Sequence, residues 1–246
     1  MADALRLALT TFTVLPVRAG RIDRRAAAGS IALAPAVGLL LGATLALVTA
    51  GLTAVGCAPL LTAALGLGGL ALATRGLHLD GLADTADGLG CRGDRDRTLA
   101  VMASPEVGPF GVVSLVLVLL VQASALAGLV AGGRWLAIAV GVAAGRLAIV
   151  WGCRRGVPAA RPGGLGALVA GTQPVGLAVA WTIGLGLLGW WAGGWLGPLG
   201  VLAAVLVTAG ALAHLTRRIG GVTGDVLGAI CEVSTMVSWT VLVVTP

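Results

Sequence analysis

AAAGSIALAPAVGLLLGATLALVTAGLTAVGCAPLLTAALGLGGLALAT, residues 26–74, contains no charged side chain. A hydrocarbon core about 30 Å thick is crossed by roughly twenty apolar residues in a helix, so this run is long enough for two crossings. Gly56-Cys57-Ala58-Pro59 is the natural turn between them. Further runs of the same kind follow. Val107 to Gly133 makes one span and Trp135 to about Trp151 another, the second interrupted by Arg146. The run from Gly163 to Thr216 divides at Gly193-Gly194-Trp195-Leu196-Gly197-Pro198, and a last span covers about Val226 to Val244. The reading is an all-α, polytopic bundle of about seven spans forming a single integral-membrane unit over residues 1–246.

Composition agrees. Of 246 residues, 58% are apolar and only 11% charged, against about a quarter charged in soluble domains. The mean hydropathy is +1.02. Low charge excludes intrinsic disorder, and the 40 glycines follow no collagen period. The net charge of +6 arises from 16 basic residues, all arginine, against 10 acids. These arginines stand in short blocks between apolar runs, as in cytoplasmic loops of membrane proteins, and point away from nucleic acid. Cys57, Cys91, Cys153 and Cys231 are too dispersed for a zinc site or a disulfide framework. Residues 1–25 read as an interfacial N-terminal segment without a signal-peptide cleavage pattern.

Placing Arg18, Arg21, Arg24 and Arg25 in the cytoplasm and alternating the spans returns residues 76–106, residues 152–173 and Arg217-Arg218 to the same side, leaving only Arg134 opposite. That asymmetry follows the positive-inside rule. Asp80, Asp84, Asp87, Asp94, Asp96, Glu106 and Asp225 map to the same face, so chemistry is expected there, in a cytoplasmic-side acidic cavity.

The segment RGLHLDGLADTADG, residues 75–88, carries most of that chemistry. In a helix Asp80, Asp84 and Asp87 stand at i, i+4 and i+7, three carboxylates on one face within two turns. Their repulsion calls for a cation, and an oxygen-only set favours Mg²⁺ or Mn²⁺. The alternative is a solvated acidic loop neutralised by Arg92, Arg95 and Arg97. A second segment, GGVTGDVLGAICE, residues 220–232, places Asp225 and Glu232 seven apart. Glu232 lies about two turns inside a span, where a carboxylate needs a partner and is functional by default. Gly221 and Gly224 permit close backbone approach to a ligand. Arg146, at membrane depth, requires a carboxylate or phosphate partner, and Arg161 offers a second guanidinium. His78 and His214 are lone histidines, structural or substrate-contacting rather than metal ligands. Carboxylates, metal and arginines around a membrane cavity suit phosphoryl-type transfer.

The runs HLDGLADTADG (78–88) and GGVTGDVLGAICE (220–232), with Leu15-Pro16-Val17, Pro35-Ala36-Val37-Gly38 and Ala160-Arg161 before Gly164-Leu165-Gly166, resemble the cobalamin synthase family, the adenosylcobinamide-GDP ribazoletransferases. The resemblance implies a Mg²⁺-dependent, multi-pass inner-membrane enzyme with its active site facing the cytoplasm. It would join adenosylcobinamide-GDP to α-ribazole or its 5′-phosphate and release GMP. Membrane lipid surrounds such an enzyme, nucleic acid is not a partner, and a homo-oligomer is compatible with it. By resemblance Asp80, Asp84 and Asp87 hold metal and Asp225, Glu232, Arg146 and Arg161 are catalytic. His78, Gly221, Thr223 and Gly224 then contact the bound ligand. The chain departs from the usual family pattern at Thr74-Arg75-Gly76 and at Met102-Ala103-Ser104-Pro105-Glu106-Val107-Gly108, where Glu106 stands close to an expected carboxylate at 104. Asp84-Thr85-Ala86-Asp87-Gly88 also echoes CDP-alcohol phosphotransferases, without their downstream aspartates. A secondary transporter is the remaining rival; it is disfavoured because neither acidic segment repeats.

Overall fold

The computed structural model describes residues 2–18 and 20–244. Among these, twelve α-helices and no strand occur: α1 (Ala2–Phe12), α2 (Arg24–Ala32), α3 (Ala34–Ala54), α4 (Pro59–Ala73), α5 (Leu77–Gly90), α6 (Arg95–Met102), α7 (Pro109–Ala131), α8 (Trp135–Gly152), α9 (Gly164–Val169), α10 (Val175–Gly193), α11 (Leu196–Ile219) and α12 (Gly224–Val243). Helix starts follow local chemistry. Pro59 and Pro109 open α4 and α7, where a missing N–H costs nothing. Asp23, Asp94 and Thr223 cap α2, α6 and α12 with side-chain oxygens.

Six helices, α3, α7, α8, α10, α11 and α12, are long and apolar enough to cross a membrane. The seventh crossing expected from the sequence is a broken pair: α4 has 15 residues, and α5 leaves its direction by 91°. The break falls at Arg75 and Gly76, both at positive φ, so α5 turns away from the direction of α4 instead of continuing it. Segments expected to be loops also hold helices, α5 and α6 within 76–106 and α9 within 152–173.

Helix α8 is the axis of the bundle. It is buried along nearly its whole length and packs on α3, α10, α11 and α12. Small residues make the tightest contact possible: a Cβ on Gly42 would stand 2.6 Å from the Ala139 Cα, and one on Gly38 2.8 Å from the Ala143 Cα. Without a hydrophobic drive between helices in lipid, such close backbone packing supplies the association energy.

The two ends of the bundle differ. At one end Arg95 reaches Ile219, Arg24 reaches Ala167 and Ala170, and Arg75 reaches Thr10, so the charged segments gather there. At the other, Arg134 reaches the Val244 carbonyl, near Trp190, Trp191 and Trp195, whose rings are exposed, Trp191 to 85%. Exposed tryptophans at one end of apolar helices are the signature of a membrane interface.

Candidate functional site

Helices α5 and α12 cross with their backbones in contact. A Cβ on Gly81 would lie 2.6 Å from the Asp225 carbonyl oxygen, and one on Gly228 3.1 Å from the His78 Cα. Glycine at both positions is what lets Asp80 and Asp84, beside Gly81, come alongside Asp225 at the start of α12. The two acidic segments, 145 residues apart between Asp80 and Asp225, thereby share one site. Partial burial, then the charges of Asp80, Asp225 and Asp87, push the Asp84 carboxyl up to about 6. Carboxylates that raise one another in this way gain most from a cation placed among them. Their all-oxygen donor set fits Mg²⁺.

Asp225 is fixed from two directions. The Thr223 hydroxyl accepts the Val226 N–H at 3.2 Å, as the helix cap, and donates to Asp225 Oδ2 at 3.1 Å. Arg161 Nη2 stands 3.7 Å from the same oxygen. Arg161 is held in register by a short parallel bridge, in which the Ala160 N–H donates to Val222 O at 2.9 Å and the Val222 N–H to Pro158 O at 2.9 Å. Gly221 serves that bridge, because a Cβ there would strike the Pro158 carbonyl at 2.2 Å. Gly224 borders the cavity described next, together with Asp225. Arg95, which the sequence suggested only as a neutralising charge, donates from Nε to Ile219 O at 3.0 Å and from Nη2 to Ala160 O, clamping both strands of the bridge.

Beside these carboxylates lies a cavity of about 260 Å³, apolar on most of its wall, with Phe12, Ile31, His78, Asp80, Asp225 and Leu227 among its lining. Helices α1, α2 and α9 close it. Phe12 of α1 stacks on His78, with ring centroids 6.0 Å apart and planes 15° apart. The N-terminal segment is therefore a wall of the site. It is tethered by Arg75 Nη2 to Thr10 O (2.7 Å) and by the Val14 N–H to Ala73 O (2.8 Å). Arg24 bonds the carbonyls of Ala167 and Ala170 at 3.0 and 2.9 Å, fixing α2 on α9.

The other expected site residues do not share this cavity. Both oxygens of Asp87 accept backbone N–H groups at the start of α7, from Gly108 (2.7 Å) and Gly111 (2.9 Å). A carboxylate at a helix N-terminus satisfies orphan donors and the helix dipole, so Asp87 anchors α7 to α5. Glu232, 7% exposed, accepts from Gln122 Nε2 at 2.9 Å in the bundle interior. Arg146 is 1% exposed, and among the described residues no carboxylate lies within ion-pairing distance of it. Its Nη2 meets His78 Nδ1 at 3.5 Å and its Nη1 meets Val142 O at 3.5 Å. His78, Cys231 and Glu232 offer ligand atoms within 4.8 Å of one another, close enough to surround an ion. The guanidinium on His78 already supplies positive charge at that spot, which disfavours a cation there. Five carboxylates around one cavity, the arrangement the two helical faces suggested, thus resolve into two groups: a mouth group, with Asp80 and Asp225 lining the cavity and Asp84 within reach of both charges, and Asp87 and Glu232, bound by the protein itself.

The family model of cobalamin-5-phosphate synthase matches residues 4–243. The chain is 42% identical to an adenosylcobinamide-GDP ribazoletransferase of Frankia casuarinae, over 98% of this chain and 94% of that one. It is also 42% identical to one of a Nocardioides species, over 97% and 99%, and 39% identical to one of Pseudomonas aeruginosa, over 95% and 96%. No solved structure matches.

Proposed function

The chain belongs to the cobalamin-5-phosphate synthase family, and from that premise we propose that it transfers the cobinamide-phosphate group of adenosylcobinamide-GDP to a ribose hydroxyl of α-ribazole or its 5′-phosphate. The new phosphorus–oxygen bond forms to that hydroxyl as the bond to GMP breaks, and the product is adenosylcobalamin or its 5′-phosphate. Family membership sets aside the CDP-alcohol and transporter readings. The observation that carries the proposal is the convergence of Asp80 and Asp225, from two distant segments, in the wall of a mostly apolar cavity, with Asp84 one turn along α5 and within reach of both charges.

Asp80, Asp84 and Asp225 would hold Mg²⁺, which would neutralise charge on the diphosphate and on the departing GMP. The remaining chemistry belongs to the chain. The cavity between α1, α2, α5 and α12 has the size and apolar lining for the aromatic base of the ribazole. Its acidic wall, Asp80 and Asp225, meets the hydroxyl-bearing sugar. Asp225 Oδ2 accepts the hydroxyl proton, its orientation set by Thr223 and Arg161. Arg161, partly exposed beside it, adds positive charge for phosphate oxygens. Phe12 and His78 exclude water from the base. The active site opens on the cytoplasmic face of the inner membrane, a placement supported by the crowding of arginines at that end of the bundle.

The test is mass spectrometry of products formed by the purified protein from adenosylcobinamide-GDP and α-ribazole with Mg²⁺. One GMP released per adenosylcobalamin formed is expected. GMP release with no corrinoid nucleotide product, or no reaction, would refute the transfer.

A further inference from the structure

A second cavity, of about 510 Å³, opens at the C-terminal end of α5, walled by α6, residues 104–108 and the first turn of α7. Asp87, Arg97, Ser104, Glu106 and Phe110 line it. Its volume lies in the range of small-molecule sites, roughly 300–1,000 Å³. Helical rise, 1.5 Å per residue, puts the Asp87 end of α5 about 10 Å from the Asp80 end, with Asp84 between.

The polar groups in this cavity differ in what they have left to offer. Asp87 has both oxygens engaged by Gly108 and Gly111. The side chains of Glu106 and Arg97 have no hydrogen-bond or ion-pair partner among the described residues. Ser104 Oγ accepts the Glu106 N–H at 3.2 Å, shaping the turn that presents Glu106. The cavity thus combines one free carboxylate, one free guanidinium and a half-exposed aromatic face, Phe110, whose ring lies against Gly90.

We propose that this cavity is the guanosine site, with Glu106 as the residue that selects guanine. A carboxylate only accepts hydrogen bonds, and guanine offers it two adjacent donors, N1–H and the 2-amino group. Hypoxanthine offers one of these and adenine neither. Phe110 provides the face on which a base stacks, and Arg97 the cation for the nucleotide phosphate. The assignment takes its ligand class from the transferase reading, and it adds a division of labour. The nucleotide leaving group sits at the Asp87 end of α5 and the ribazole at the Asp80 end, with the reacting phosphate near Asp84.

The experiment is equilibrium binding of GMP, IMP and AMP to the full-length protein in lipid nanodiscs with Mg²⁺, for wild type, Glu106→Gln and Phe110→Leu. Wild type is expected to prefer GMP to IMP by roughly 10-fold and to AMP by more, since a site built for donors rejects analogues lacking them. Glu106→Gln should weaken GMP roughly 10- to 100-fold and bring the GMP-to-IMP ratio close to one, while Phe110→Leu weakens all three nucleotides alike. Equal wild-type affinity for GMP and IMP, or an unchanged ratio in Glu106→Gln, overturns the assignment. The wild-type comparison needs no variant to fold. Binding is read without turnover, so the two readings fail separately. A protein that prefers GMP but forms no corrinoid product sustains the pocket and sinks the transferase, whereas normal turnover without guanine preference does the reverse.

Discussion

Asp80, Asp84 and Asp225 on one hand and Asp87 and Glu232 on the other are carboxylates within a few turns of the same two helices, α5 and α12, yet their surroundings are opposite. Inside, Glu232 has the Gln122 amide, with the Arg146 guanidinium beyond ion-pairing distance, and Asp87 has two α7 amides. At the mouth the carboxylates repel one another, and among the described residues Asp225 alone of them has a cation, Arg161, at 3.7 Å. Charges satisfied by the protein hold the fold; charges left unsatisfied are the ones the proposed Mg²⁺ site draws on. The comparison therefore divides the acidic residues by task, which the spacing of the residues along the chain does not.

Substitutions that neutralise without changing shape test this division most severely. Asp84→Asn and Asp225→Asn should each lower GMP release by about 10³-fold or more while the protein remains folded, because they remove charge stabilisation at the reacting phosphate. An activity within tenfold of wild type would take either residue out of the reaction. Arg146→Met should act instead on the fold. Among the described residues no carboxylate pairs with this guanidinium directly, but it is the buried cation facing His78 beside Glu232. Its loss should cost about 1–3 kcal/mol, read as a fall in thermal midpoint. Adding Glu232→Gln to it should recover most of that loss. If the double variant is no more stable than Arg146→Met, the two charges do not compensate each other.

Asp87→Asn keeps one acceptor oxygen for the α7 amides and loses the charge, so about 1–2 kcal/mol of stability should go, with a smaller loss of activity than Asp84→Asn. Equal damage to activity from both would return Asp87 to the mouth group. The smallest effect concerns pH. An acid raised to about 6 in the fold favours the protonated native state. In metal-free buffer the stability it contributes is therefore present below about pH 4 and lost as pH rises through 6. Asp84→Asn should flatten that part of the stability profile, and Mg²⁺ should restore wild-type stability at pH 7 but not that of the variant. A profile unchanged by the substitution would contradict the crowding of these groups.

Much of this architecture was legible in the sequence for plain reasons. Apolar runs of spanning length delivered α3, α7, α8, α10, α11 and α12. The turn at 56–59 and the break at 193–198 appear where glycine and proline placed them. What stayed hidden depends on contacts between distant residues. Helical spacing shows that Asp80, Asp84 and Asp87 share a face, but not that Gly108 and Gly111 approach Asp87 closely enough to occupy both its oxygens. It shows a membrane-depth arginine, but not that His78 is the side chain it meets. The 91° break between α4 and α5 left only Arg75-Gly76 as its signal, and the roof formed by α1 rests on a ring stack between residues 12 and 78. Arg95 looked like any loop charge, and its role as a clamp follows from two carbonyls far away in the chain.

The division of the acids is tested most directly by Mn²⁺ binding to the substrate-free protein, followed by electron paramagnetic resonance. Saturable binding is expected, weakened by an order of magnitude or more in Asp80→Asn, Asp84→Asn and Asp225→Asn and near wild type in Asp87→Asn and Glu232→Gln. Undiminished binding in Asp84→Asn, or a loss in Glu232→Gln as large as at the mouth, would contradict that division.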